Sequence, residues 1–237
     1  MGKKGGNKKT KALYAPKAVN IKRKARVWTV HTIPGAQKRK ESVSLGIVLR
    51  DLVGIVATMK EAKSILQGKE VKVNGVVKIE PRTGIGLFDT ITIEKQKLFF
   101  RAMLDKKGRI YLNEMEKEGK ERISKVSHKK MTAKGVQITT SDGRIYLTNE
   151  AKVDDSLKIK LPEGKIEGVI PLENGALVFI TKGEHCAQTA IVKEIVSGTI
   201  KRSKLVKLES KEGEFETVPE NIIVIGKGKP ALEDLKQ

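Results

Sequence analysis

The side chains best suited to chemistry in this sequence are cations. Thirteen Lys and Arg residues lie within residues 1–40, and that stretch contains no Asp or Glu. Ammonium and guanidinium groups at this density can neutralise phosphates and displace their counterions. A tail that only confers solubility is the alternative, but it would not need a tryptophan. The predicted contact residues are Lys3, Lys4, Lys8, Lys9, Lys11, Lys17, Lys22, Arg23, Lys24, Arg26, Trp28, Lys38, Arg39 and Lys40.

The formal net charge of the whole chain is +20, which indicates a polyanionic partner, either a nucleic acid or an anionic membrane surface. No apolar run approaches the roughly 20 residues that cross a bilayer, so we expect no membrane partner. The single cysteine, Cys186, excludes an intrachain disulfide and any cysteine ligand cluster. A reducing cytoplasm fits this cysteine usage.

Catalytic residues are not grouped in the sequence. His31, His128 and His185 lie far apart, and the pair His185–Cys186 lacks companions for metal binding or thiol catalysis. We therefore predict no enzyme, no metal, no cofactor and no small-molecule substrate. The segment IGKGKP at 225–230 lacks the Lys-Ser/Thr end of a phosphate-binding loop. Its glycines predict a turn, with Lys227 and Lys229 as simple phosphate contacts.

Two predicted helices and a hairpin occupy residues 41–95. A helical stripe runs from Leu45 to Val56, and Thr58 with Glu61 forms a capping box that starts a second helix near Met59. Gly68 is expected to end that helix in the left-handed conformation. A hairpin turn at Asn74-Gly75 follows.

The join between the second helix and the hairpin is surrounded by lysines. Helix positions 60 and 63 lie opposite the apolar face, and positions 69 and 72 lie on the hairpin that follows. One surface can therefore present several ammonium groups, although a solvated helix face is the plain alternative. The predicted contacts are Lys60, Lys63, Lys69, Lys72 and Asn74.

From about residue 96 the pattern is of short alternating strands with Gly, Asp or Asn turns. We predict four parts: a basic extended arm at 1–40, a helix-helix-hairpin domain at 41–95, a β-rich domain at 96–172, and a small β-barrel with a tail at 173–237. The predicted class is thus α+β, built from several modules. We expect the arm to become ordered on its partner.

The stretch EAKSILQGKEVKVNG resembles the S-four RNA-binding domain, whose pattern is E-A-x-x-x-I-x-x-G-x-V-x-V-N-G. The matching positions are Glu61, Ala62, Gly68, Val71, Val73, Asn74 and Gly75. A second stretch, GALVFITKGEHCAQTAIVKEI at 175–195, resembles the KOW motif, a strand–loop–strand unit of a small SH3-like barrel.

The order of these motifs, together with KALYAPK near the start and NIIVIGKGKP near the end, is similar to the S-four-e family of archaeal and eukaryotic small-subunit ribosomal proteins. The resemblance implies a structural constituent of the cytoplasmic ribosome that binds small-subunit rRNA and neighbouring ribosomal proteins. Lysines outnumber arginines, which suits phosphate contact more than bidentate reading of bases.

Two other functions stay open at this level. S-four-like domains also precede catalytic domains in RNA-modifying enzymes, but such an enzyme needs a further large domain with a placed Asp. A KOW-type transcription or translation factor is the other alternative, although the basic arm would have no role when the partner is a polymerase.

Overall fold

The computed structural model describes residues 8–35, 37–133, 135–199, 203–210 and 213–232. The chain divides into two compact units. The first contains the residues up to Met103 together with Arg109–Gly119, and the second contains Leu104–Gly108 and the chain from Lys120 onwards. Strands dominate both units and helices are few, and the many short strands from residue 96 onwards agree with the prediction for that part of the chain.

The start of the described chain is folded and is not a simple extended arm. Strand β1 (Lys9–Lys11) pairs antiparallel with β2 (Trp28–Val30), and a 3-10 turn at Ala12–Tyr14 follows β1. Farther along, the amide of Ile110 donates to the carbonyl of Ala18 at 2.8 Å. Small apolar side chains make this packing possible. They are spread among many basic residues, so the sequence did not indicate a folded segment. The buried ones are Ala12, Ala15, Ala18 and Val19.

The first predicted helix is shorter than its apolar stripe suggested. After strand β3 (Val43–Ser44), helix α1 (Leu45–Ile47) continues as a π-helical segment at Val48–Leu52. The helix stops there because Gly54 adopts a positive φ of 78°, which no helix accommodates. Val56 therefore lies beyond the helix, although it is buried as the stripe predicts.

Helix α2 (Met59–Gln67) begins as predicted. The amide of Glu61 donates to the Thr58 hydroxyl at 3.3 Å, and the Glu61 carboxylate accepts from the Thr58 amide at 3.4 Å. These reciprocal bonds satisfy amides that have no partner within the helix. The hydrogen bond from the Thr58 hydroxyl is the main cause that lowers the pKa of Glu61.

The end of α2 differs from the prediction. Gly68 keeps a right-handed conformation with φ of −66°, and the following Lys69 takes the left-handed conformation with φ of 59°. A Cβ on Gly68 would lie 2.9 Å from a carboxylate oxygen of Glu70. Gly68 is therefore not required by a positive φ, and its nearest neighbour is the flexible end of a side chain that can move aside.

A five-stranded sheet completes the first unit, in the order β5-β4-β7-β8-β9, and a separate pair joins β3 to β6. The hairpin turn between β4 and β5 has positive φ at both Asn74 and Gly75, as its sequence predicts. The sheet continues well past residue 95. The strands of this sheet are β4 (Val71–Val73), β5 (Val76–Val77), β7 (Thr90–Ile93), β8 (Leu98–Leu104) and β9 (Ile110–Met115). The strand paired with β3 is β6 (Gly84–Ile85).

The second unit contains two antiparallel sheets, ordered β12-β11-β10-β13-β14 and β18-β17-β16-β15-β19-β20. The first consists of β10 (Glu121–Thr132), β11 (Gly135–Thr140), β12 (Ile145–Leu147), β13 (Ser156–Lys160) and β14 (Lys165–Ile170). The second consists of β15 (Ala176–Ile180), β16 (Thr189–Val196), β17 (Leu205–Ser210), β18 (Gly213–Thr217), β19 (Ile222–Lys227) and β20 (Lys229–Pro230).

Each sheet of the second unit has its own apolar core. Val126, Ile138 and Leu157 are fully buried in the first, and Val178, Leu208 and others are buried in the second. Short 3-10 turns elsewhere occupy Arg39–Glu41, Glu94–Gln96 and Pro219–Asn221. No helix among the described residues has the length and apolarity to cross a bilayer.

Candidate nucleic-acid interface

The ribbon formed by β1 and β2 exposes one face. Lys11 lies directly opposite Trp28, and Lys9 lies opposite Val30, so these four side chains share a face. Both lysines are exposed, and the Trp28 side chain is 53% exposed. On the other face Thr29 is buried, which fixes which side of the ribbon the cations occupy. Lys3 and Lys4 lie outside the described residues.

Two arginines of the basic segment have structural partners in the backbone. Arg23 donates to the carbonyls of Leu13, at 2.9 Å, and Pro16, at 3.4 Å, and so holds the turn after β1. Arg26 donates to the carbonyl of Ala57 at 3.4 Å. Because Ala57 directly precedes the cap of α2, Arg26 lies beside the start of that helix.

The remaining cations of the segment are exposed along its length. Three consecutive basic side chains face solvent at the 3-10 turn Arg39–Glu41 and the residue before it. The exposed cations are Lys8, Lys17, Lys22, Lys24, Lys38, Arg39 and Lys40.

The lysines around the helix–hairpin join divide into two groups. Lys60 and Lys63 are exposed on the polar side of α2, opposite the buried Ala62, and Lys69 is exposed at the end of the helix. Lys72 instead forms an ion pair with Glu94, and the hydrogen bond to this carboxylate raises the pKa of Lys72.

Asn74 does not lie on the predicted contact surface. Its side chain is 4% exposed, and its amide nitrogen donates to Asp89 at 2.8 Å while its oxygen accepts from the amide of Thr90 at 3.0 Å. The same Asp89 carboxylate accepts from the amide of Gly86 at 2.7 Å. Asn74 therefore ties the turn between β4 and β5 to Asp89 and Thr90. No local pattern pointed to Asp89, because the two side chains are fifteen residues apart.

Comparison with known proteins finds relatives that match nearly the whole chain. Small ribosomal subunit protein eS4 of Methanosphaera stadtmanae is 36% identical over 236 residues, which cover 98% of this chain and 98% of the relative. The protein of the same name from Archaeoglobus fulgidus is 32% identical over 228 residues, covering 94% of this chain and 96% of that protein.

The chain belongs to the S4e family of ribosomal proteins. The family model described as "Ribosomal family S4e" matches residues 96–166. The crystal structure of the 30S ribosomal protein S4e from Thermoplasma acidophilum is similar to this S4e-family chain, with a TM-score of 0.68 and 28% identity. The similarity covers 79% of this chain and 96% of that structure.

The last two predicted contacts of this S4e-family protein lie on the final strands. Lys227, at the end of β19, pairs with Glu173 at 2.9 Å, and Lys229 is exposed at the start of β20. The strand–loop–strand unit that was predicted from residues 175–195 is present as β15, its loop and β16. No group of three or more metal-ligating side chains occurs among the described residues.

Proposed function

We propose that this chain is a structural constituent of the small ribosomal subunit, where it binds and stabilises rRNA and supports translation. The observation that carries the proposal is the near full-length similarity to proteins named small ribosomal subunit protein eS4. The proposed partners are small-subunit rRNA and neighbouring ribosomal proteins, and the proposed location is the cytoplasmic ribosome. The role is structural and does not involve turnover of a substrate.

The proposed mechanism is neutralisation of phosphates by the basic segment at residues 8–40. Eleven cations lie there with no carboxylate in the segment to compensate them. Each phosphate that a lysine neutralises releases counterions, so the affinity should fall as the salt concentration rises. Lysines act here as point charges, which suits recognition of the RNA backbone and shape more than of its sequence.

The folded parts would add shape selection. We propose that α1, α2 and the β4–β5 hairpin act as an S-four-type RNA-binding module, with Lys60, Lys63 and Lys69 towards the RNA. We further propose that β15 to β19 form a KOW-type barrel of the SH3-like kind. The domain boundaries predicted above, at 40, 95 and 172, remain part of this proposal, together with the predicted contact residues of each part other than the buried Asn74.

A charge-removal experiment tests the mechanism. The triple variant Lys8→Gln, Lys9→Gln and Lys11→Gln removes three cations from exposed positions, where the fold does not depend on them. The slope of log affinity for small-subunit rRNA against log salt should decrease by about 2 to 3, because each lost phosphate contact contributes about 0.7–0.9. Deleting the whole segment is a poorer test, because its buried alanines belong to the packed first unit.

The matched control removes three lysines that already have partners. Lys165 pairs with Glu163 at 2.7 Å, Lys207 pairs with Glu194 at 2.8 Å, and Lys193 pairs with Glu214. Their triple change to Gln should leave the slope nearly unchanged. An equal decrease in both variants would show that the contact is not confined to the basic segment, which would contradict the proposed mechanism. Failure of the unaltered protein to sediment with small subunits at moderate salt would overturn the ribosomal role itself.

A further inference from the structure

The aromatic residues of the chain are distributed unevenly between the core and the surface. The chain has nine aromatic residues: five Phe, three Tyr and one Trp. Seven of them are buried or half-buried. The other two, Trp28 at 53% exposed and Tyr14 at 77%, both belong to the basic segment. Large aromatic rings normally contribute to the core or to interfaces, so their exposure here indicates a surface that a partner covers.

The surroundings of Trp28 indicate the chemistry of that partner. Lys11 is its direct cross-strand neighbour, and Lys9 lies two residues along the same face. The basic residues nearest to Trp28 in sequence are Arg26 and Lys24, and residues 8–40 contain no carboxylate. An apolar partner surface would make no favourable contact with these cations. A nucleotide offers both a flat base for the aromatic ring and a phosphate for the lysines.

We propose that Trp28 is a stacking site for an unpaired RNA base, with the ammonium group of Lys11 on the phosphate of the same nucleotide. This inference rests on the proposed rRNA-binding function and narrows it. Bases within an A-form duplex are stacked on each other and do not expose a face, so the nucleotide must come from a loop, bulge or strand end. An aromatic ring stacks on any base, so Trp28 selects unpaired structure and not sequence.

The backbone of the β1–β2 ribbon holds the Trp28 side chain in place. Thr29 on the reverse face is buried, and the amide of Ala12 donates to the carbonyl of Val27 at 2.9 Å, so the pairing extends beyond the strands themselves. Arg23 binds the carbonyl of Leu13 and holds the adjacent turn. Trp28 is therefore presented from a fixed backbone, which lowers the conformational entropy that stacking would otherwise cost.

The experiment uses the fact that Trp28 is the sole tryptophan, so the intrinsic fluorescence of the full-length protein at tryptophan wavelengths reports on this ring alone. The probes are a single-stranded oligoadenylate and an A·U duplex RNA with the same number of phosphates. We expect the single strand to quench the fluorescence strongly and the duplex to leave it nearly unchanged. Equal quenching by the two RNAs, or none by the single strand, would overturn the inference.

Variants separate stacking from charge. Trp28→Leu should lower the affinity for the single strand by about tenfold, since one base–aromatic stack has that order of effect. It should leave the affinity for the duplex and both salt slopes unaltered, whereas Trp28→Phe should retain most of the binding. The neighbouring exposed Val27→Ala serves as the control and should change neither affinity. Circular dichroism confirms that each variant is folded.

The outcomes distinguish this inference from the proposed function. If fluorescence anisotropy shows that neither RNA binds, the rRNA-binding function fails together with the inference. If both RNAs bind with a steep salt dependence but Trp28→Leu binds like the unaltered protein, only the stacking site fails. In that case Trp28 does not stack on the RNA, and the lysines alone carry the binding.

Discussion

Residues 8–40 carry eleven basic side chains and no carboxylate, whereas several lysines in the second unit pair with glutamates on neighbouring strands. Lys207 lies directly opposite Glu194 in the β16–β17 ladder, and Lys158 reaches both Glu121, at 2.9 Å, and Glu167, at 3.1 Å. The same residue type thus has two roles. Lysines beside carboxylates contribute little net charge to the surroundings, and lysines without them can attract a polyanion.

The total charge of a chain is therefore a poor guide to the location of its binding surface. The net charge of +20 belongs to the whole chain, but the excess is concentrated where acids are missing. A local count of carboxylates locates the candidate interface better than a count of lysines does. The second unit also contains cations inside the fold: Arg122 and Lys125 are almost fully buried.

The largest expected effect concerns one of these buried cations. Arg122 pairs with Asp142, which also accepts from the Ser124 hydroxyl, and both charged side chains are at most 5% exposed. Arg122→Met should lower the free energy of unfolding by about 3–5 kcal/mol, because it leaves a buried carboxylate without its main counter-charge. Urea unfolding measures this change.

The control for Arg122→Met comes from the other region. Lys9→Met also removes one cation but should leave the urea midpoint unchanged, because the side chain is exposed. The double variant Arg122→Met with Asp142→Leu should recover much of the lost stability. A loss below about 1 kcal/mol for Arg122→Met alone would contradict the division between structural and binding cations.

The sequence revealed the features that depend on residues close together in the chain. Thr58 and Glu61 are three residues apart, and Asn74 and Gly75 are adjacent, so local chemistry alone fixes a helix start and a turn. Both were predicted and both are present. The exposure of the lysines in the basic segment was also predictable, because charged side chains at this density cannot be buried, whereas their contact with RNA stays a prediction.

Features that depend on distant residues were not predictable. Asn74 was predicted to lie on the surface, but its side chain is bonded to Asp89, fifteen residues away. The partner of Arg122 lies twenty residues away, and no local pattern predicts it. The folded state of the basic segment was missed for a related reason. The apolar side chains that it buries are mostly alanines, which are too small to produce a clear periodic pattern and are buried by packing within the first unit.

A smaller effect follows from the titration of the buried pair. Burial works to raise the pKa of Asp142, but the charge of Arg122 and the Ser124 hydrogen bond outweigh it, so the pKa lies below the ordinary 3.8. The stabilisation from this carboxylate is complete above 3.8 and is lost as the pH falls through the lowered pKa. Asp142→Asn should cost about 2 kcal/mol at pH 7, less than Arg122→Met, because Asn keeps a carbonyl oxygen that can still accept a hydrogen bond from Arg122.

The pH dependence provides the test of that effect. The difference in stability between the unaltered protein and Asp142→Asn should shrink as the pH falls from 3.8 towards about 2. The exposed Asp105→Asn should show no comparable difference at either end. A constant gap between Asp142→Asn and the unaltered protein across this range would mean that the carboxylate charge is not what stabilises the fold.

The smallest effect separates stability from affinity within the first unit. Thr58→Ala removes the cap of α2 and should lower the free energy of unfolding by about 1 kcal/mol. It removes no charge, so the salt slope of rRNA binding should match that of the unaltered protein. Ser64→Ala, also exposed on α2, is the control and should not reduce stability, since Ala is the better helix former. A flatter salt slope for Thr58→Ala would show that the cationic surface depends on the cap, because the hydrogen bond from Arg26 to the Ala57 carbonyl joins the basic segment to the start of this helix.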